Sequence, residues 1–426
     1  MDSVCKFKHP KGLYLLFFVE MWERFSFYGM RALLVLYMVQ ELLYSSQKAG
    51  TIYGIYTGLV YLTPLIGGYL ADNIFGQRKC ITAGAVLMFL GLFLLAFGGE
   101  TFFILSLLIM ITANGCFKSN ISSVLGLVYS DNNDKKDSAY TIFYMGINLG
   151  AFLSPLVCGT LAFGYGFKVG FVAAGIGMLI GLITYKVFEN KLLGDKGLRP
   201  LLVEEKSESD SNETDNEYRG KFASLIFLML FTIPFWICFE QAGSSLTLFA
   251  EYQTNRFLFG HEIPTGYFQS LNPLFIIILA PLFSLLWEKL RAFAKEPSSV
   301  AKFAIALLLM TFACCILIFA GNVAENTKIS PMWLVAVYFV MTLSELCISP
   351  IGLSLVSKLA PPKFLSFMMG CWFFTCFIGD TIAGFWGGKY GSVTAVQLFA
   401  PLAIMSFITF IVIILLMPKL KRFIRI

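Results

Sequence analysis

Apolar residues fall into twelve long runs separated by shorter polar segments. An α-helix rises about 1.5 Å per residue, so roughly 20 mainly apolar residues cross the ~30 Å hydrocarbon layer of a bilayer. The runs lie at residues 13–39, 50–70, 80–98, 101–129, 139–163, 168–188, 222–249, 266–287, 300–320, 331–357, 364–387 and 394–417. The pattern predicts an all-α integral membrane protein with twelve transmembrane helices.

Residues 189–221 interrupt this pattern with a polar, acidic stretch, EEKSESDSNETDNEY at its centre. Such a segment cannot bury a core, so it predicts a flexible cytoplasmic linker. We therefore expect an N-terminal six-helix bundle at 1–188 and a C-terminal six-helix bundle at 222–426. Two such halves around a central cavity are typical of secondary transporters. An ordinary loop without a mechanical role is the alternative interpretation of 189–221.

The composition excludes an ordinary soluble domain, because 57% of the residues are hydrophobic and 14% are charged, against about 25% charged in soluble domains. The ten cysteines lie mostly inside apolar runs and show no paired spacing with histidine, so neither a metal site nor a disulfide framework is expected. No cofactor is expected either. The net charge of +6 reflects loop topology, and no nucleic-acid partner is predicted.

The distribution of Lys and Arg predicts the orientation. With the N-terminus inside, 24 of the 32 lie on the inner side, 5 lie in outer loops and 3 lie within runs. Cytoplasmic loops carry the excess of Lys and Arg. Both termini are therefore expected in the cytoplasm, and the compact loops suggest a bacterial inner membrane.

Charged residues inside the runs are few, and each is costly at bilayer depth, so such residues usually face a cavity and have a function. They are Glu20, Glu23, Arg24 and Arg31 in the first run, Lys118 in the fourth, Glu240 in the seventh, Glu345 in the tenth and Asp380 in the eleventh. A passive membrane anchor has no use for them.

The charges of the first run share one face. At about 100° per residue, Glu20, Glu23, Arg24 and Arg31 fall within an arc of about 140°. Glu20 and Arg24 are spaced for an i,i+4 ion pair. Arg31 lies about 16 Å beyond Glu20 along the helix. Pairs that neutralise each other and only fix helix packing are the alternative interpretation of this stripe.

The halves differ in the sign of their charges. The intramembrane cations lie in the first half, and the three intramembrane charges of the second half are acidic. A cavity between such halves would be bipolar, which suits a zwitterionic substrate with its negative end near Arg31 and Lys118 and its positive end near Glu240 or Glu345. Because desolvation disfavours an ionised carboxylate, buried acids of this kind can also carry protons.

The stretch GGYLADNIFGQRK at 67–79 resembles the loop between spans two and three of the major facilitator superfamily. In that superfamily an Asp and basic residues tie helix ends together on the cytoplasmic side. The resemblance implies that Asp72 and Arg78, with Lys79, form a conformational latch without contacting substrate.

VEMWERFSFYGMR at 19–31 resembles the E-x-x-E-R-F-x-Y-Y-G signature of the proton-dependent oligopeptide transporter family, which has the major facilitator fold. Four further stretches resemble the same family: NGCFKSNISS at 114–123, FYMGINLGAF at 143–152, FWICFEQAGSS at 235–245 and SELCISPIGLS at 344–354. The resemblance covers nearly the whole chain. It implies proton-coupled symport of di- and tripeptides by alternating access.

The resemblance also implies roles for individual residues. Proton coupling is expected at Glu20, Glu23, Arg24 and Glu240, and an outer gate at the pair formed by Arg31 and Glu240. Substrate binding is expected at Arg31, Tyr28, Tyr61, Lys118, Asn148, Asn272, Glu345 and Trp372. Of these, Arg31 and Lys118 would receive the peptide carboxylate, and Glu345 would meet the amino terminus.

Two departures from the family pattern stand out. The first Tyr of the signature is Phe27 here, so the pocket lacks one hydroxyl. Many bacterial members carry two extra helices between the halves, but the stretch at 189–221 is too short and too polar for them. Twelve spans are therefore expected.

The alternatives to peptide symport are transport of another solute, a membrane enzyme and a channel. Another solute, such as a modified peptide, an amino acid derivative or nitrate, stays open as the transported substrate. A membrane enzyme is disfavoured, because the two histidines, His9 and His261, lie in loops and no nucleophile–histidine arrangement is evident. A channel is disfavoured because charges at mid-span suit closing gates. The expected partners are a di- or tripeptide, protons and the lipid bilayer, and the protein is expected to be a monomer.

Overall fold

The computed structural model describes residues 9–129, 136–200, 215–258, 260–359 and 365–423. Helices make up almost all of this part of the chain. The centre of the predicted linker, 201–214, lies outside the described residues. Within those residues, the strands are confined to one small hairpin, in which β1 (Phe257–Leu258) pairs antiparallel with β2 (His261–Glu262).

Six long helices precede the linker. They are α1 (Lys11–Gln40), α2 (Ser46–Leu70), α3 (Gln77–Phe97), α4 (Glu100–Val128), α5 (Lys136–Tyr165) and α6 (Phe167–Leu193). A π-helical turn, Ala71–Phe75, ends α2. Gly98 and Gly99, with φ of 75° and 83°, form the tight turn from α3 to α4. Glycine suits that turn because other residues are strained at positive φ.

The second half begins with a broken span. It contains α7 (Asp215–Phe239), a 3₁₀ turn (Glu240–Gly243), α8 (Ser245–Tyr252), a 3₁₀ turn (Thr265–Ser270), α9 (Leu271–Ala292), α10 (Ser299–Ala324), α11 (Met332–Leu359), α12 (Leu365–Gly387) and α13 (Ala395–Phe423). The run predicted at 222–249 is thus two helices joined by a short turn. Helices α6 and α7 also extend into the predicted linker from either side.

Within the described residues, eleven helical segments are long and apolar enough to cross a membrane. Helix α1 is long enough as well, but its charged residues exclude it from that count. Large apolar side chains such as Ile66, Phe97 and Leu415 are exposed, with 60%, 60% and 72% of their surface accessible. A bilayer solvates such side chains, so their exposure agrees with the predicted membrane fold.

The chain packs as two compact units. The first comprises Met1–Met30 and Thr63–Glu204, and the second comprises Arg31–Leu62 and Glu205–Ile426. Helix α1 therefore passes from the first unit into the second at Arg31, and α2 returns to the first at Thr63. The bundles expected at 1–188 and 222–426 stay predictions.

Inside the second unit, α2 packs closely on α12 through glycine. A Cβ added at Gly54 would lie 2.7 Å from the carbonyl oxygen of Thr381 and 2.8 Å from Cα of Gly384. One added at Gly50 would lie 2.6 Å from Cα of Gly388. Close backbone approach through small residues is typical of helix packing in membranes, where the lipid tails supply little hydrophobic driving force.

Candidate functional site

The acidic residues of α1 and their arginine form a buried cluster in the first unit. Glu20, Glu23 and Arg24 are 3%, 0% and 4% exposed. The predicted i,i+4 pair is present, with Nε of Arg24 3.2 Å from Oε1 of Glu20. Arg24 also binds both oxygens of Glu23, with Nη2 donating to Oε1 at 2.7 Å. One guanidinium thus serves two carboxylates.

Lys118 of α4 supplies a second cation to this cluster, because it interacts electrostatically with both Glu20 and Glu23. The cluster therefore contains two carboxyl groups and two cationic side chains. Oε2 of Glu20 is buried, and no hydrogen-bond donor reaches it among the described residues. A carboxylate oxygen in that position can hold a proton at little further desolvation cost.

Two more predicted substrate residues belong to the first unit. Tyr28 is half-buried on α1, and its ring centroid lies 5.3 Å from that of Phe27. Phe27 also lies under the Arg24 guanidinium, 5.4 Å from ring centroid to Cζ. Asn148 on α5 is 5% exposed and donates to the carbonyl of Tyr144 at 2.9 Å. The residue that departs from the family signature thus packs against the acidic cluster.

Arg31 and Glu240 form a buried ion pair in the second unit. Nη2 of Arg31 lies 2.6 Å from Oε2 of Glu240. The side chains are 11% and 3% exposed. Separation of such a pair at bilayer depth leaves two desolvated charges, unless a proton or another ion replaces the missing partner. The family resemblance implied this pairing in the sequence.

The break in the seventh span positions Glu240. Glu240 begins the 3₁₀ turn, and Ser244 leaves helical geometry with φ of −121° and ψ of −96°. Gln241 holds the turn in place, because its amide nitrogen donates to the carbonyl of Ala383 on α12 at 3.1 Å. Its amide oxygen accepts from the hydroxyl of Ser245 at 2.6 Å. Glu240 therefore lies at a break in the helix that the hydrogen bonds of Gln241 hold in place.

A second acid of the same unit, Glu345 on α11, is held by Asn272 on α9. The amide nitrogen of Asn272 donates to Oε2 of Glu345 at 2.8 Å and to the hydroxyl of Thr342 at 3.1 Å. The structure thus brings together two residues that the sequence placed in the substrate site separately. Because Asn272 is a neutral amide, this contact supplies Glu345 with a hydrogen bond but with no positive charge.

The predicted aromatic residues also belong to the second unit. Trp372 on α12 is 4% exposed, and its indole lies against Gly352 of α11, where a side chain would collide with the ring. Tyr61 on α2 is half-buried and packs against the apolar core of this unit. Asp380, on α12, is 1% exposed.

The predicted latch residues lie in the first unit, around the start of α3. Arg78 donates to Glu189 at 3.3 Å, to Asn190 at 2.5 Å and to the carbonyl of Gly194 at 2.7 Å. Asp72 instead accepts from the amide of Gln77 at 2.7 Å. Arg78 therefore ties the start of α3 to the end of α6.

The sequence analysis did not predict four residues that contact the predicted site residues or their partners. Glu189 and Asn190 bind Arg78 but fall within the predicted linker, although an acid directly after an apolar run could have been matched with a basic latch residue. The hydroxyl of Tyr53 accepts from Arg31, and Gly243 packs against that hydroxyl. No local signal in the sequence distinguishes Tyr53 from the other aromatic residues of α2.

A model of the POT family matches residues 78–192 and 195–395. Among curated proteins, the peptide transporter YePEPT of Yersinia enterocolitica is 34% identical over 98% of this chain and 95% of its own length. The di-/tripeptide transporter of Lactococcus lactis is 30% identical over 98% and 97% of the two chains. The alignments, over 495 and 485 residues, are longer than the 426 residues of this chain, so these relatives carry inserted segments.

Solved structures are similar over nearly the full length. A crystal structure of a peptide transporter POT in complex with sulfate has a TM-score of 0.91 and 32% identity, over 98% of this chain and 96% of the other. A POT family transporter in complex with 5-aminolevulinic acid has a TM-score of 0.90 and 30% identity, over 98% of both chains. The predicted helical transporter fold is confirmed.

Proposed function

This chain belongs to the POT family of membrane transporters, and from that membership we propose that it imports di- and tripeptides together with protons by alternating access. The relatives named as peptide transporters support the substrate class. The observation that carries the proposal is the buried ion pair of Arg31 and Glu240. It gives the transporter a charge contact that a proton can break.

The coupling would work through competition for Arg31. A proton that binds Glu240 neutralises the carboxylate, which releases the guanidinium to receive the carboxylate of a peptide. The acidic cluster of α1 supplies further proton positions at Glu20 and Glu23, with Arg24 as their counterion. Because each step exchanges one partner for another, no buried charge is left without compensation.

The other substrate contacts are assigned unit by unit. In the first unit, we assign Lys118 to the peptide carboxylate, with Tyr28 and Asn148 as polar contacts. In the second unit, we assign Glu345, oriented by Asn272, to the peptide amino terminus. Tyr61 and Trp372 provide apolar contact area. We assign Asp72 and Arg78 to an inner latch that acts on conformation alone.

A second candidate substrate is a modified peptide or amino acid derivative. A similar POT family transporter was solved in complex with 5-aminolevulinic acid, which carries an amino and a carboxyl group, as a peptide does. The two charged ends would meet the same residues. We further propose that the protein resides in the cell inner membrane as a monomer, with both termini cytoplasmic.

The test is reconstitution into liposomes with an inward proton gradient and a radiolabelled dipeptide. We expect accumulation above the external concentration, abolished by a protonophore. Equal uptake with and without the gradient would refute symport. Chromatography of the accumulated label separates transport of the intact dipeptide from hydrolysis. Competition by unlabelled dipeptide, 5-aminolevulinic acid and nitrate ranks the substrate classes.

A further inference from the structure

Tyr53 gives the Arg31 guanidinium a second acceptor besides Glu240. Nε of Arg31 donates to the Tyr53 hydroxyl at 2.7 Å, while Nη2 donates to Glu240 at 2.6 Å. Tyr53 is fully buried, and Cζ of Arg31 lies 5.9 Å from its ring centroid. Both donors belong to one rigid planar group, so two acceptors fix the orientation of the guanidinium plane.

Gly243 leaves the space that this hydroxyl occupies. A Cβ at this position would overlap the hydroxyl of Tyr53 and lie 3.2 Å from Nη2 of Arg31. Gly243 ends the same 3₁₀ turn that Glu240 begins. One break in the seventh span therefore provides both the carboxylate that binds Arg31 and the space for the phenol that orients it.

Other titratable side chains interact with the three residues Tyr53, Arg31 and Glu240. Electrostatic interactions with Tyr53, Arg31 or Glu240 come from Asp380 on α12 and from Tyr338 and Glu345 on α11. Two of these are acids, so carboxyl groups other than Glu240 act on this pair of side chains. A neutral acceptor on Nε selects one orientation without adding a competing charge.

We propose that Tyr53 is a positioning residue of the proton-coupled gate: its hydroxyl holds the Arg31 guanidinium where it meets Glu240. The inference rests on the proposed function, in which a proton separates this ion pair. By strengthening the pair, Tyr53 opposes protonation of Glu240 and sets the external pH at which the gate opens. When Glu240 is neutral, Tyr53 still binds Arg31 and keeps it from turning to another acid.

The variant Tyr53→Phe tests this with little change in shape, because it removes one oxygen and keeps the ring. A weaker ion pair protonates more readily, so we expect the pH of half-maximal dipeptide uptake to rise. The rise should not exceed about one unit, because Tyr53 binds Arg31 in both protonation states of Glu240 and only the difference between the two states contributes. A purely structural role would reduce the amount or rate of transport without moving this pH. A profile identical to that of the wild type would overturn the proposal.

The Glu240→Gln background supplies the matched control. A glutamine at this position cannot titrate, so adding Tyr53→Phe should leave the pH profile of dipeptide exchange where the single Glu240→Gln variant has it. A shift of similar size in both backgrounds would show that Tyr53 acts on another group and would also overturn the proposal.

Thermal unfolding of the purified proteins separates this inference from the proposed function. The wild type, Tyr53→Phe, Glu240→Gln and the double variant form a cycle, and we expect the two changes in Tm to be non-additive because both act on Arg31. If the wild type failed to show proton-driven peptide uptake, the proposed function would fall, and this cycle would still decide the role of Tyr53. Additive changes would refute the positioning of Arg31 by Tyr53.

Discussion

Arg24 lies 3.2 Å from Glu20, one helical turn earlier on α1, and the same guanidinium binds Glu23 beside it. The two carboxylates are not equivalent in this arrangement. Both oxygens of Glu23 accept from Arg24, whereas Oε2 of Glu20 has no donor in the described part of the chain. Protonation of either acid would redistribute the bonds of one shared arginine.

Glu23→Gln should abolish gradient-driven accumulation of dipeptide while sparing exchange. Glutamine keeps an oxygen that can accept from Arg24 but cannot take up or release a proton, so binding is retained and coupling is lost. Uptake into liposomes with and without a proton gradient measures the first effect, and counterflow measures the second. Glu41→Gln, at an exposed position after α1, is the control and should behave as the wild type. Full concentrative uptake by Glu23→Gln would remove Glu23 from the coupling mechanism.

Gly54→Leu should destabilise the contact of α2 with α12 by about 1–3 kcal/mol, the usual cost of overpacking. The added side chain would collide with the backbone at Thr381 and Gly384, which cannot move as a flexible side chain could. Thermal unfolding in detergent measures the loss. Gly164→Leu is the matched control, because a Cβ there meets no atom within 4 Å. Equal unfolding temperatures for the two variants would contradict the close packing.

Arg78→Lys should destabilise the protein by about 2 kcal/mol, although the charge is retained. Lysine cannot reproduce the fork that reaches Glu189, Asn190 and the carbonyl of Gly194 together. Denaturation of the purified variant measures the effect. Lys79→Ala, at the exposed neighbouring position, should change stability by less than about 0.5 kcal/mol. An Arg78→Lys variant as stable as the wild type would show that charge alone holds the contact between α3 and the end of α6.

Glu296, in the loop between α9 and α10, should stay ionised throughout the pH range of transport. Hydrogen bonds from Arg291 and then from Lys302 lower the pKa of this carboxyl to about 2. Because the pKa of Glu296 is lower in the folded state than in the unfolded chain, its ion pairs stabilise the fold above the ordinary pKa of about 4.3. This stabilisation is lost as the pH falls toward 2. Glu296→Gln should therefore lower stability equally from pH 5 to 8.

The pH dependence of dipeptide uptake should be unchanged in Glu296→Gln, which makes this variant a control for the buried acids. Unfolding curves at pH 5, 6.5 and 8 and uptake at the same pH values check both expectations. A shift of the uptake profile in this variant would mean that the loop, rather than the spans, sets the pH response.

Local spacing was enough to predict the charged face of α1, since 100° per residue holds in any α-helix. The pair of Glu20 and Arg24 could therefore be expected from their i,i+4 separation alone. The pairing of Arg31 with Glu240 was expected from the family resemblance, since the charges alone left more than one acid in the second half. The end of α6 was predicted less well: Glu189 belongs to the helix, and the polar composition that follows it concealed this.

The sequence by itself determined the membrane class, the number of long helices, the positions of the intramembrane charges and the family. These properties depend on hydropathy, helical periodicity and motif order, all of which are local or additive along the chain. Only the tertiary structure decided that Tyr53 meets Arg31, that Gly243 leaves room for it, and that Asn272 binds Glu345. Such contacts join residues of different elements, and their geometry depends on how the helices pack, which no local pattern encodes.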